Sequence, residues 1–507
     1  MSQRALGLLG LALLLPAPAI ASESDMFGPS LPRVGMAGAG AALADHGGPT
    51  VLAPAALGLA EQDMVRMHYL GGQLMLDDVV GVTRLDGKDE AMPLEPIQPS
   101  GVTVDLVKTI TPFFRVAAWV NVSLPYLYFH DSKDPWVPYA GRWQSRYARS
   151  MGGLGASIRV PLRGIPAAGA PKEAWDDALQ GGLWVGASFT LRPRGVIDID
   201  LDLVGRTDEN DETRIDTVLR DVDLIAEPVF RPVFSLLFDF GTLYAPLEGL
   251  RFGASYQVES TTEINPIGLD VEVRGLGELN ALFSLVERIQ AQVWLGLFDF
   301  YDPHQLKLSL AWEHERFALA VDAQWNQWSA LAPSFGRVVR GRDGQEGRLD
   351  LVLDTPSGEN VLSYPVAGGR TVDSSAFHDT WDISVGGEVR LPPRPLPKGD
   401  RPMTAAIRAG YRFQPAFMEP VDGPTALLES DTHSWGLGAS LELPGPQGFS
   451  PLIFDGALQV LRMEGMDLPK TGQGMRDVIE PPVAYSSDAS WSGGWGVVGG
   501  GSLGVAF

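Results

Sequence analysis

Five arginines stand where a buried cation would have chemical consequences. Arg115, Arg192, Arg194, Arg408 and Arg412 all fall on the polar face of runs in which polar and apolar residues alternate. A guanidinium withdrawn from water must be paired, so these positions suit either the head of a carboxylate ligand or carboxylates of the chain itself. Asp198, Asp200, Asp202, Asp322 and Asp382 lie on comparable faces and keep the second possibility open. The acidic end of the run holding Arg192 and Arg194 would repel a carboxylate, which tilts the reading toward a neutral hydrophobic ligand. Covalent and metal chemistry find no support in the residue types. The chain has no cysteine, none of its 7 histidines stands in an H-x-x-x-H spacing, and no G-x-S-x-G elbow occurs. Gly38-Ala39-Gly40 has no preceding strand, so it does not read as a dinucleotide fingerprint. The expectation is a non-enzymatic protein with no cofactor and no metal.

The elements that position these residues follow from charge and periodicity. The 507 residues include 39 Lys+Arg and 62 Asp+Glu, a net charge of -23. So acidic a chain lacks the basic footprint that nucleic-acid binding requires. At the N-terminus, Arg4 precedes an apolar run from Ala5 to Leu15, and Ala19-Ile20-Ala21 supplies a small-residue cleavage pattern. Residues 1–21 therefore read as a secretory signal cut near Ala21. Residues 22–61 do not alternate and are rich in Gly, Ala and Pro, too small for a core of their own. They are expected to form a compact N-terminal plug, or hatch.

Residues 62–507 carry runs of period-two alternation, the mark of strands with two unlike faces. In the last run Trp491, Trp495, Val497, Leu503, Val505 and Phe507 share one face, while small residues fill the other. Phe317, Leu319, Val321 and Trp325 likewise oppose Asp322, Gln324 and Asn326. Charged residues on one face and aromatic-tipped apolar residues on the other fit a barrel with a polar lumen and a lipid-facing band. The strands are expected at 64–74, 101–111, 114–128, 149–161, 183–203, 228–246, 250–266, 291–313, 317–331, 376–392, 403–417, 431–445, 450–463 and 490–507. The predicted fold is all-β: a transmembrane antiparallel β-barrel of about fourteen strands with the plug in its lumen. Parity places the long segments 332–375 and 464–489 at the external end, opposite the short turns 247–249 and 314–316.

The order of signal, Gly35-Met36-Ala37-Gly38-Ala39-Gly40-Ala41-Ala42-Leu43-Ala44-Asp45, a Pro54-Ala55 turn and fourteen strands resembles the FadL-type outer-membrane transporters. Asp302-Pro303, Trp325-x-x-Trp328 and the terminal Phe507 add to the resemblance. The family's plug usually carries Asn-Pro-Ala where this chain has Ala53-Pro54-Ala55, so a side-chain hydrogen-bonding group is missing there. The resemblance implies passive transport of long-chain fatty acids or other hydrophobic compounds across the outer membrane of a Gram-negative cell. External loops capture the ligand, the lumen holds it, movement of the plug (Gly35, Gly38, Gly40, Asp45, Pro54 and Ala55) releases it, and it leaves sideways into membrane lipid. Pro125 is the candidate for the strand kink that opens the side exit, or else a plain strand end. Leu279, Leu282, Phe283 and Val286 have helical spacing and would line the capture groove or pack inward. Expected partners are a hydrophobic small molecule, outer-membrane lipid and, through Phe507, the barrel-assembly machinery, with the chain itself a monomer. The rival readings are a structural partner for surface proteins and a general diffusion porin.

Overall fold

The computed structural model describes residues 30–43, 53–60, most of 62–124, 127–131, 140–144, 151–160, 182–207, 213–240, 248–264, 267–274, 288–295, 298–330, 348–355, 358–365, 377–395, 402–419, 426–427, 429–445, 450–471 and 486–507. Fourteen of its strands form one closed antiparallel barrel. In chain order they are β1 Met64–Leu76, β2 Ser100–Thr111, β3 Phe114–Leu124, β4 Met151–Val160, β5 Leu183–Thr207, β6 Thr213–Asp239 and β7 Leu250–Gln257. The second half comprises β8 Gln305–His314, β9 Phe317–Asn326, β10 Thr380–Arg390, β11 Thr404–Gln414, β12 Thr432–Leu443, β13 Leu452–Met463 and β14 Gly494–Ala506. Each strand pairs with the next, and β14 closes on β1 from Met64↔Ala506 to Leu76↔Gly494.

The two faces are those the alternation requires. Val65, Met67, Val104, Val120, Leu154, Phe234, Leu310, Val321, Val385, Ile407, Leu437 and Leu503 point outward and are exposed. Arg66, His68, Asp105, Gln305, Asp322, Gln324, Arg408 and Asp455 point inward and are buried. A soluble protein does the reverse. An apolar band this continuous around the circumference demands lipid as its solvent, and closure leaves no strand edge unpaired within it.

The tight turns 111–114 and 314–317 lie at the end that carries the last residues of the chain, where the Phe507 amide donates to the Asp63 carbonyl at 2.9 Å. Asp63 also accepts from Lys108 Nζ at 2.6 Å and the Thr109 amide at 2.7 Å. Burial would raise its pKa, but these two donors outweigh it and hold the carboxyl below its ordinary value. The ends of β9 and β13 and the starts of β10 and β14, which flank the expected long segments 332–375 and 464–489, lie at the opposite, loop end, as parity predicts. One connection at the turn end, 161–182, is longer than the expected asymmetry.

Several expected strands have different bounds, three of them substantially. The run 291–313 divides into Arg288–Leu295, Phe298–Asp302 and β8, the last break falling at Pro303, which has no amide to donate to a ladder. The run 250–266 divides into β7 and Ser260–Ile264, and β6 begins at Thr213 rather than 228. Hydropathy could not show that extension: β5 and β6 pair along nearly their whole length, from Thr213↔Thr207 to Phe238↔Leu183, as one long hairpin. Ile267–Arg274 lies parallel to Asp198–Val204 of β5 and begins a sheet extension that includes 288–295, 348–355 and 358–365.

Candidate functional site

The lumen is occupied near its turn end by the N-terminal segment. A short helix, Leu31–Gly35, starts after Ser30 with proline in its first turn and is wholly buried. The chain then bends sharply: Ala37 has φ 52°, Gly38 91° and Gly40 103°. This left-handed backbone costs glycine little but Ala37 about 1 kcal/mol. The bends lead to a latch on the wall. The Ala41 amide donates to Asp322 Oδ2 at 3.1 Å and the Ala42 amide to Ser309 Oγ at 3.0 Å. Ser309 Oγ in turn donates to Asp322 Oδ1, and Lys307 Nζ lies 3.5 Å from Asp322 Oδ2. Further along, the 3-10 turn Pro54–Leu59 places the Ala55 amide 2.6 Å from Ser235 Oγ. Ser157 Oγ donates to the Ala55 carbonyl at 3.1 Å, and Arg115 Nη1 reaches the Leu57 carbonyl at 3.4 Å.

The wall opposite this segment is stripped of side chains. A Cβ added at Gly410 would sit 2.1 Å from the Met36 carbonyl oxygen, and at Gly436 2.5 Å from that of Val34. One added at Gly186 would sit 2.2 Å from the Ala55 amide nitrogen, and one at Gly386 2.8 Å from Met36 Cβ. Glycine on β5, β10, β11 and β12 thus forms a track that admits backbone against backbone. Met36, Ala39, Ala42, Leu43 and Ala55 pack there with Trp184, Leu237, Ala311, Ala318 and Ala320 as the main apolar cluster.

The arginines have distinct surroundings. Arg115 touches the N-terminal segment. Arg412 Nη2 donates to Asp382 Oδ2 at 2.9 Å and lies beside Gly38. Arg408 Nε donates to Glu388 Oε2 at 2.7 Å, with Nη1 3.6 Å from Asp455 Oδ1. Arg408 and Arg412 are therefore engaged with wall carboxylates, the alternative their polar surroundings left open. Arg192 and Arg194 lie in β5, with side chains outside the described residues. Asp45, Pro125, Leu279, Leu282, Phe283 and Val286 also lie outside the described residues.

Arg408 belongs to a longer array that its sequence neighbours do not reveal. Asp239, Arg251, Glu313, Arg390, Glu388, Arg408, Asp455 and Arg66 follow one another around the wall, each next to an opposite charge. Its four cations and four carboxylates cancel, so it lines the turn end of the lumen without a net field. Asp455 joins Arg408 to Arg66, which is fully buried. Asp455→Ala is expected to leave two buried guanidinium groups short of a carboxylate and cost about 3 kcal/mol. The check is a fall in the temperature at which the barrel loses its heat-resistant gel mobility, with Asp455→Asn falling less.

At the loop end, Asp431 lies one residue before β12 and receives the Ala416 amide at 3.4 Å. Burial and then nearby Glu464 push its pKa to about 6, while His433 opposes the shift. Because the folded value exceeds the unfolded one, the folded state holds the extra proton between pH 4 and 6. Its stabilising effect is present below that range and is lost as pH rises through about 6. Discounted for solvent exposure it amounts to about 1 kcal/mol. Amide exchange around residues 429–433 is expected to quicken between pH 5 and 7 relative to other loop-end amides, and not to do so in Asp431→Asn.

Together these features define a closed membrane barrel whose lumen seats its own N-terminal backbone. Among solved structures, a Pseudomonas aeruginosa FadL homologue shares this fold at 12% identity and a TM-score of 0.52, over 97% of this chain and 100% of that one. The P. putida toluene transporter TodX aligns at 13% identity with a TM-score of 0.45, covering 95% of this chain and 99% of its own. No family model and no curated protein matches the sequence.

Proposed function

We propose that this chain is a passive outer-membrane conduit for hydrophobic molecules, with residues 22–61 as its plug. The observation that carries this reading is the glycine track. A wall that discards side chains so that a separate segment can rest on it by backbone contact suits a removable occupant better than a permanent core. A porin for hydrophilic solutes has no use for such a seat. Neutralisation of Arg408 and Arg412 by wall carboxylates favours an uncharged hydrophobe over a carboxylate ligand.

Release sideways into lipid is part of the proposal. The ladder between β3 and β4 runs from Phe114↔Ile158 to Asn121↔Met151. On its other side β3 stays paired to β2 as far as Leu124↔Ser100. Asn121↔Met151 is the last pair among the described residues, and the proposed exit lies beyond it, toward Pro125. An opening there would let an apolar molecule pass from lumen to bilayer without crossing the charged array below. The chain acts as a monomer, exported by residues 1–21, with Phe507 presented to the assembly machinery.

Uptake of radiolabelled dodecane and 1-dodecanol by cells expressing the protein tests the reading. Expression is expected to raise initial uptake at least about fivefold over an empty-vector control, with Pro125→Val returning it toward the control while barrel folding is kept. No gain for either compound, together with stable association with a surface protein, would overturn the proposal in favour of a structural role.

A further inference from the structure

On the lumen wall formed by β1 and β2, two buried polar side chains are paired with each other and, among the described residues, with no other side chain. His68 Nε2 and Asp105 share a hydrogen bond, and each residue is 2% exposed. His68 Nδ1 and Asp105 Oδ2 are left buried with no partner among the described residues. Unsatisfied groups of this kind are costly in a wall, and here two occur on bonded neighbours.

Their surroundings grade from polar to apolar in one direction. Across the strands His68 faces Ser502 and Thr103, while Asp105 faces Arg66. Ser502 Oγ donates to Asp455, Thr103 Oγ1 to Asn121, and Arg66 is bound to Asp455. Toward the loop end the inward positions include Leu70, Val498, Leu74 and Leu461, all 6% exposed or less, with buried Gln459 opposite Val498. The register sets them in successive rows, with Gly500 opposite Leu70, Gly72 opposite Val498, and Gly496 between Leu461 and Leu74. The result is a mainly apolar strip, interrupted by Gln459, with a two-atom polar foot.

We infer that this wall is the subsite for the head of an amphiphile, and that the head is an uncharged hydroxyl. With a proton on Nε2 only, Nδ1 and Oδ2 are both acceptors, and an O–H can donate to either. With both ring nitrogens protonated, Nδ1–H donates to a hydroxyl oxygen, while Oδ2 on the other side of the ring still accepts from an O–H. A carboxylate offers no donor in the first state, and in the second it meets the Asp105 charge, while the charges of Arg66 and Asp455 cancel. An alkane leaves both atoms unpaired. The inference rests on the conduit reading and names the class of molecule it carries: long-chain alcohols or phenols.

The test uses the full-length barrel in lipid nanodiscs, with 1-dodecanol, dodecane and dodecanoate as probes and retained ligand measured by mass spectrometry. The wild-type protein is expected to retain dodecanol at least about tenfold better than the other two. In His68→Leu and Asp105→Leu, each of which removes one of the two acceptors, that preference is expected to fall while dodecane retention does not, with heat-modifiable mobility as the folding check. Equal retention of dodecanol and dodecane by wild type overturns the hydroxyl subsite and leaves the conduit reading standing. Retention of none overturns the conduit reading itself. If both variants fail to insert, the wild-type preference and a dodecanol-induced change in the His68 imidazole nitrogen resonances decide.

Discussion

If the N-terminal segment is the proposed plug, Gly410→Leu is expected to make the barrel leak. Any Cβ at this position would lie 2.1 Å from the Met36 carbonyl oxygen and 2.3 Å from its carbon, so the conflict is with backbone. No rotamer change relieves it, and β11 is held on both sides by β10 and β12. The segment must shift, at a cost of about 3 kcal/mol, the upper range for overpacking. That is roughly a hundredfold in the ratio of seated to released segment. Two measurements check it. Conductance in planar bilayers should rise from closed to open, and trypsin should cut after Arg33, which is 5% exposed when seated. Gly456→Ala is the control, since its nearest atom would be the Gly500 carbonyl oxygen at 3.9 Å. An unchanged conductance in Gly410→Leu would mean that the seat does not close the pore.

Asp322→Ala should release the same segment by a different route. Asp322 is 1% exposed and brings together the Ala41 amide, Ser309 Oγ and Lys307 Nζ. Removing the carboxylate costs the segment a charge-assisted hydrogen bond and leaves the partly buried Lys307 ammonium without this counter-charge, about 3 kcal/mol in all. Asp322→Asn keeps an acceptor for the Ala41 amide and should lie between. The order expected for conductance is wild type, then Asn, then Ala, with unchanged strand content by circular dichroism. If Ala and Asn conduct alike, the carboxylate's charge is not what holds the latch. Gly410→Leu and Asp322→Ala act on separate contacts of one segment, so their combination should open no further than either alone once the segment is out.

The fourteen strands were legible because each must present one face to lipid and the other to a polar lumen. This alternation is written locally: Phe317, Leu319 and Val321 against Asp322 and Gln324 need no knowledge of the neighbouring strands. The apolar outer face, the polar inner face and the closing run to Phe507 follow from the same rule. The bends at Gly38 and Gly40 came only from the structure: glycine tolerates positive φ, but its presence in a Gly- and Ala-rich stretch does not say where the chain turns.

What the tertiary structure alone decided is which inward residues meet. Asp322 bonds Ala41 across 281 positions, Arg66 reaches Asp455 across 389, and His68 finds Asp105 across 37. Barrel register creates such pairs, and register depends on how every hairpin is offset from the next, a property no single strand encodes. The wall glycines illustrate the same limit. In the sequence Gly186, Gly386, Gly410 and Gly436 look like weak points in four separate strands. They become a track only when closure brings them to face one segment of backbone, because the missing Cβ acquires meaning from the atom that takes its place.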